Sequence, residues 1–209
     1  MKTNKNNIGI EISLVSDRLS IRPIKEEDAP QLLKVLESNG LAYEDSDTYT
    51  FYSTAEDALC YIRDSFENDV VILALFQRGE EEKLIGIINL YGLYGDQDCN
   101  GKKTLYVDHL VHKRECRTEF LAEAYKSIST ELFEKHNVVM LVFQTYADNQ
   151  ERIRIAELCG FTRNDLWDDV FDDAELGSFD FYGFTMVSPY GPEEEKQGQS
   201  KIVDYQIKS

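Results

Sequence analysis

Two carboxylates and one run of cations are the groups in this sequence best placed to do chemistry. Asp108 lies on an alternating, strand-like run from Thr104 to Val111, and Glu44 stands among four aromatics and two further acids in LAYEDSDTYTFY, residues 41–52. Either carboxylate could take a proton from an attacking nucleophile; the plainer reading of each is a solvated surface group. Lys113, Arg114 and Arg117 form the densest basic cluster of a chain with 39 acidic and 22 basic residues. Charge-assisted contacts from such a cluster suit a phosphate, and a solvated strand end is the alternative. His109, His112 and Cys116 are metal-donor types. Residues three apart on a strand point to opposite faces, however, so both histidines do not readily reach one ion, and no metal site is expected. Nothing in the chain supports a Ser-His-Asp triad, a P-loop or a dinucleotide G-x-G-x-x-G.

The elements that must position these groups are clearest between Val138 and Phe161. Val138 to Phe143 is an unbroken apolar run rich in β-branched residues, which predicts a strand covered on both faces. Asp148 and Asn149 stop it, and Asn149 suits the N-cap of a new helix because its side-chain oxygen can accept from an unpaired helix N–H. Ile153, Ala156 and Leu158 or Cys159 follow at helical spacing. Gly160 stands where a helix most often needs a left-handed residue, and Phe161 opens another strand.

Upstream, Leu19 to Ile24 predicts a first strand, and Glu26, Glu27 and Asp28 load the start of a helix with charges that suit its dipole. Leu32, Leu33, Val35 and Leu36 form its buried stripe. Ser53 reads as the cap of a second helix over 54–68, whereas residues 41–52 show no sustained period. Strand-like runs follow at Val70 to Phe76 and Leu84 to Leu93, joined by RGEEEK. Thr118 reads as the cap of a long helix to about Lys135, with Phe120, Leu121, Ala124, Ile128 and Leu132 inward. After Phe161 comes an acidic excursion, and then a final strand from Phe179 to Val187.

Two of these segments carry a resemblance. Arg18-Leu19-x-Ile21-Arg22, followed by Asp28-Ala29, and Asn149 with Ala156-Glu157 and Gly160-Phe161 resemble segments of the GNAT acyltransferases, in the branch that acetylates protein N-termini and small amines. The resemblance spans about Ser16 to Val187. It implies an α/β (α+β) fold, a mixed and mostly antiparallel twisted sheet with about four helices on its faces. It also implies acetyl-CoA as co-substrate, a small-molecule or peptide amine as acceptor, and room for a homodimer. Amine acetylation of this kind goes by direct attack on the thioester. Asn149 is then expected beside the acetyl-CoA arm, and a backbone N–H at Leu110 or Val111 is expected to polarise the thioester carbonyl. Positions that supply a proton to the leaving thiolate in the family hold Arg152 and Ala156 here. Residues 41–52 are expected to help form the acceptor pocket, where aromatic faces beside carboxylates suit an ammonium.

The chain departs from the family where the phosphates should sit. Cys116-Arg117-Thr118-Glu119 stands in place of R-G-x-G, so the glycines that let backbone N–H groups close on a pyrophosphate are gone. Lys113, Arg114, Arg117 and Thr118 are the expected replacements. The rival reading is a non-catalytic descendant that kept the fold and serves as a binding or regulatory module.

Composition sets the outer limits. With 209 residues and 42% apolar content, the chain is expected to fold as one domain over 16–187, with a tail or edge strand at 1–15 and a polar extension at 188–209. The four cysteines are scattered, which argues against a disulfide scaffold. A net charge of −17 argues against nucleic acid and anionic membranes. With no apolar run long enough to cross a bilayer, a cytoplasmic protein is expected.

Overall fold

A computed structural model describes residues 10–38, 42–45, 48–51, 54–97, 102–173 and 177–190, with side chains for all of these except 42–45, 48–51, 93–97, 171–173 and 177. Its elements run β1 (Leu14–Val15), β2 (Leu19–Pro23), α1 (Ala29–Ser38), β3 (Ala42–Asp45), β4 (Thr48–Phe51), α2 (Ala55–Glu67), β5 (Val71–Gln77) and β6 (Lys83–Gln97). They continue with β7 (Lys103–Val111), α3 (Thr118–Lys135), β8 (Val138–Tyr146), α4 (Gln150–Leu158), β9 (Thr162–Arg163), β10 (Asp169–Asp173) and β11 (Gly177–Val187). Among the described residues one sheet holds nine strands in the order β1-β2-β5-β6-β7-β8-β11-β10, with β9 also on β11. Every pairing is antiparallel except β7 with β8. The fold is therefore the mixed, mostly antiparallel sheet with four α-helices that the resemblance implied.

Each face of the sheet has its own core. Leu105, Val107, Leu141 and Phe143 pack with Phe120, Leu121, Tyr125, Ile128 and Leu132 of α3. On the opposite face Ile72, Ala74 and Ile87 pack with Leu32 and Leu36 of α1 and Ala58 and Ile62 of α2. A strand buried on both faces loses its polar alternation, which is why Val138 to Phe143 reads as one apolar run.

The first sequence signature now has a physical cause. Arg22 grips Asp28 with two bonds of 2.8 Å, and Asp28 also accepts from the Lys25 backbone N–H at 2.8 Å. One buried carboxylate thereby fastens β2 to the entry of α1. Arg18 Nε donates to Glu123 Oε2 at 2.6 Å and ties β2 to α3 in the same manner.

Several boundaries move. Thr54, not Ser53, caps α2; its hydroxyl accepts from the Asp57 N–H at 3.2 Å while Asp57 reaches back at 2.8 Å. Arg117, not Thr118, is the N-cap of α3, and no side chain bonds there. Residues 41–52, whose sequence shows no sustained period, contain the β3–β4 hairpin, paired from Ala42↔Phe51 to Asp45↔Thr48. The acidic excursion after Phe161 contains β10, which pairs with β11 at the sheet edge. The N-terminal segment is partly core, since Ile10 and Ile12 are buried and β1 is the opposite edge strand. No helix among the described residues is long and apolar enough to cross a membrane.

Candidate functional site

The two parallel strands at the centre of the sheet separate. β7 and β8 pair from Lys103↔Val138 only as far as Tyr106↔Val142. Beyond that point β7 continues to Val111 beside β6, and β8 continues to Tyr146 beside β11. The stretches Val107–Val111 and 143–146 thus face one another across a notch with no ladder between them.

Register decides which backbone groups face it. The His112 N–H bonds the Ile85 carbonyl at 2.9 Å, and hydrogen-bonded pairs alternate in an antiparallel ladder. Leu110 and Asp108 therefore turn their backbone groups toward β6. Val107, His109 and Val111 turn theirs toward β8, as the bond of 2.9 Å from the Lys103 N–H to the Asn137 carbonyl also requires. Of the two residues expected to polarise a carbonyl, Val111 faces the notch and Leu110 does not. Gly86 lies opposite Val111, where a Cβ would come 2.8 Å from Val111 Cγ1 and 3.0 Å from the Leu110 carbonyl oxygen. A side chain there would push the end of β7.

Asn149 caps α4, accepting from the Arg152 N–H through Oδ1 at 3.1 Å. Gly160, with φ of 95°, ends that segment as expected. The cap fixes Arg152 at the notch. Its guanidinium lies 5.2 Å from the centre of the Phe143 ring and forms an ion pair with Asp108, so side chains bridge strands whose backbones have parted. Both partners keep about a third of their side-chain surface, at 33% and 30%. Arg152 Nε is buried with no acceptor, and so is the Thr145 hydroxyl on the same wall. A buried donor left unpaired costs about 1–3 kcal/mol, so the site is built for a group that would accept there.

Beneath the notch, His109 stacks on Phe143 with ring centres 5.4 Å apart, and its Nδ1 meets the Tyr125 hydroxyl at 3.0 Å. Burial, aided by the charge of Arg152 and opposed by that of Asp108, lowers the His109 pKa to about 4. The unfolded chain takes up this proton near the ordinary value of 6.5. Between those values the unfolded state holds more protons, so stability falls as pH falls. We expect a loss of about 2 kcal/mol between roughly pH 7 and pH 5, seen as an earlier urea midpoint and much reduced in His109→Phe. An equal slope in that variant would acquit the histidine.

A cleft of about 500 Å³ opens between the first turns of α3 and one face of α4, lined by Thr118, Glu119, Ala122, Glu151, Arg154, Ile155 and Leu158. Lys113, Arg114 and Arg117 lie exposed at its α3 end but do not line it. Thr118 does. A compact turn, with the Glu115 and Cys116 N–H groups on the His112 carbonyl at 3.1 and 2.9 Å, leads into α3 in place of a glycine loop. Ala122, Glu151, Arg154 and Ile155 were not among the candidate residues, whereas Glu119 stands in the segment that replaces the family's glycines and Leu158 was expected only as part of the helix's apolar face. Their three- and four-residue spacings mark one face of each helix and were the available signal.

Glu44 falls on β3, and its side chain lies outside the described residues. Asp108, the other candidate base, lies at the notch in its ion pair with Arg152. His112 turns away from His109, with Nε2 3.9 Å from Glu115. Among the described residues no three His, Cys, Asp or Glu gather as a metal would need.

Residues 18–162 match the acetyltransferase (GNAT) domain. The chain belongs to the GNAT acetyltransferase family. No curated protein matches it in sequence. Among solved structures, a GNAT-family acetyltransferase from Bacillus anthracis superposes with a TM-score of 0.65 at 16% identity, over 85% of this chain and 99% of that one. The microcin C7 self-immunity acetyltransferase, in complex with acetyl-CoA and AMP, gives 0.63 at 18%, over 82% and 93%. A ribosomal L7/L12 alpha-N-protein acetyltransferase, in complex with coenzyme A, gives 0.63 at 15%, over 85% and 98%. At these identities the likeness is one of fold.

Proposed function

We propose that this GNAT protein transfers an acetyl group from acetyl-CoA to an amine, carried on a protein N-terminus, a polyamine or another small cation. The observation that carries the reading is the notch between β7 and β8, whose wall holds two buried, unpaired polar groups. Acetyl-CoA fits these residues in part. Its amide arm would meet Arg152 Nε and the Thr145 hydroxyl, and Lys113, Arg114 and Arg117 would serve its phosphates from outside the cleft. Glu119 and Glu151 oppose that charge. In the transfer, Asp108 takes the proton from the attacking nitrogen while the Val111 N–H polarises the carbonyl and Arg152 stabilises the departing sulfur. The C–N bond forms, the C–S bond breaks, and the proton leaves with Asp108.

The ion pair of Asp108 with Arg152 and the loss of the loop glycines favour a second reading, a binding or regulatory module without turnover. Titration separates the two. Acetyl-CoA at a hundred times its dissociation constant should stabilise the fold by about 2.7 kcal/mol. At roughly 2–4 °C per kcal/mol for a chain of this size, the melt should rise by about 5–10 °C. Arg117→Glu should remove most of that rise. A melt unmoved by millimolar acetyl-CoA rejects the enzyme. The acidic charge supports a cationic acceptor, and with it we propose a cytoplasmic setting.

A further inference from the structure

On the sheet face that carries α1 and α2, one buried polar side chain has no structural task that completes it. Asn89 of β6 is 3% exposed, within the otherwise apolar stretch from Leu84 to Leu90. Its Nδ2 donates to the Tyr61 hydroxyl of α2 at 3.0 Å, while its Oδ1 is buried without a partner. Asn89 stands directly opposite Asp108. Opposed residues of an antiparallel pair project from the same face with Cβ atoms about 5 Å apart. Arg152 takes Asp108 Oδ1, and among the described residues nothing bonds Oδ2.

We infer that Asn89 Oδ1 and the Asp108 carboxylate form the seat of the acceptor's primary amine. The argument is one of complementarity. Both facing groups are acceptors, so the occupant must bring donors, and a primary ammonium brings three on one atom. A hydroxyl brings one and carries no charge to answer Asp108. A carboxylate or phosphate brings none. Tyr61 on one side, and the edge-on pair of Tyr106 and Trp167 5.7 Å apart on the other, frame the seat with rings. The apolar faces of these rings suit the carbon chain that carries an amine. The ammonium also competes with Arg152 for the same carboxylate, so its arrival frees the guanidinium on the opposite side of the notch, where the sulfur would depart; before attack the ammonium gives one proton to water, and the neutral amine left on the seat gives the next to Asp108. Asn89 is thus a specificity-determining residue, reading the number of N–H groups on the nucleophile.

The inference takes its meaning from the acetyl-transfer reading, but amine binding without any donor tests it separately. Tyramine, spermidine and an alanine-led pentapeptide are titrated calorimetrically into the full chain, with tyrosol, whose hydroxyl replaces the amine of tyramine, as control. We expect at least one amine to bind and tyrosol not to. Asn89→Leu should weaken that amine at least tenfold with an unchanged acetyl-CoA isotherm, and Asn89→Asp should tighten it at least threefold. The seat is overturned if none of the three amines binds, if tyrosol binds as well as tyramine, or if Asn89→Leu keeps its amine within twofold. Should the leucine variant fail to fold, no tightening in Asn89→Asp overturns it equally. Loss of acetyl-CoA binding with amine binding intact would sink the transfer reaction and leave the seat standing.

Discussion

Arg152→Ala should lower turnover by roughly 10²–10³-fold while changing the melting temperature little. The size is that of removing one preorganised donor from a developing anion. The small stability effect follows from exposure, because the Asp108 side chain left behind keeps 30% of its surface and can be hydrated. Arg152→Lys keeps a charge but loses the fork that reaches Asp108 and the notch together, so it should recover only part of the rate. Release of thiol from acetyl-CoA in the presence of an amine reads both. Wild-type turnover in Arg152→Ala would remove the arginine from the chemistry and leave its bridge to Asp108 as a purely structural contact.

Phe143→Ala should have the largest effect on stability. Phe143 is 1% exposed and meets His109, Phe161 and the Arg152 guanidinium, so it is the common floor of the notch. Truncating a buried phenylalanine costs about 3–5 kcal/mol. For a chain of this length that is a drop of roughly 10 °C in the melt. Arg152 also loses the ring that supports it, so rate and stability should fall together, unlike the result for Arg152→Ala. A calorimetric melt within about 2 °C of wild type would show that the floor is carried by other side chains.

The fold was legible in the sequence where one residue answers to one physical demand. Asn149 had to cap, Gly160 had to turn left-handed, and the apolar run from Val138 had to be covered twice; the structure shows all three. Hidden from the sequence were the features made between elements. Arg152 was identified by its place after Asn149, yet its partner lies 44 residues away on another strand, a distance no local pattern spans. Asn89 passed as one letter of LIGIINLYG because a strand pattern scores the apolar residues and ignores the amide. Tyr125 was passed over on an apolar helix face for the same reason, although its hydroxyl meets His109. Leu110 and Val111 differ in no property the sequence displays; only the register of β7 on β6 tells them apart. The β3–β4 hairpin and β10 went unread because their strands are only four and five residues long and carry the charges and hydroxyls usual in loops.

The two rims of the sheet are finished in different ways. One ends in a strand of two residues, Leu14–Val15, too brief to template another chain, while the other ends in Asp169–Asp173, where three of five residues are aspartates. Repulsion between like edges is a common guard against strand-by-strand assembly. That guard is one of like charge, so raised salt, which screens it, should let copies of the folded protein associate along the C-terminal side of the sheet, and a proline in that strand should prevent it.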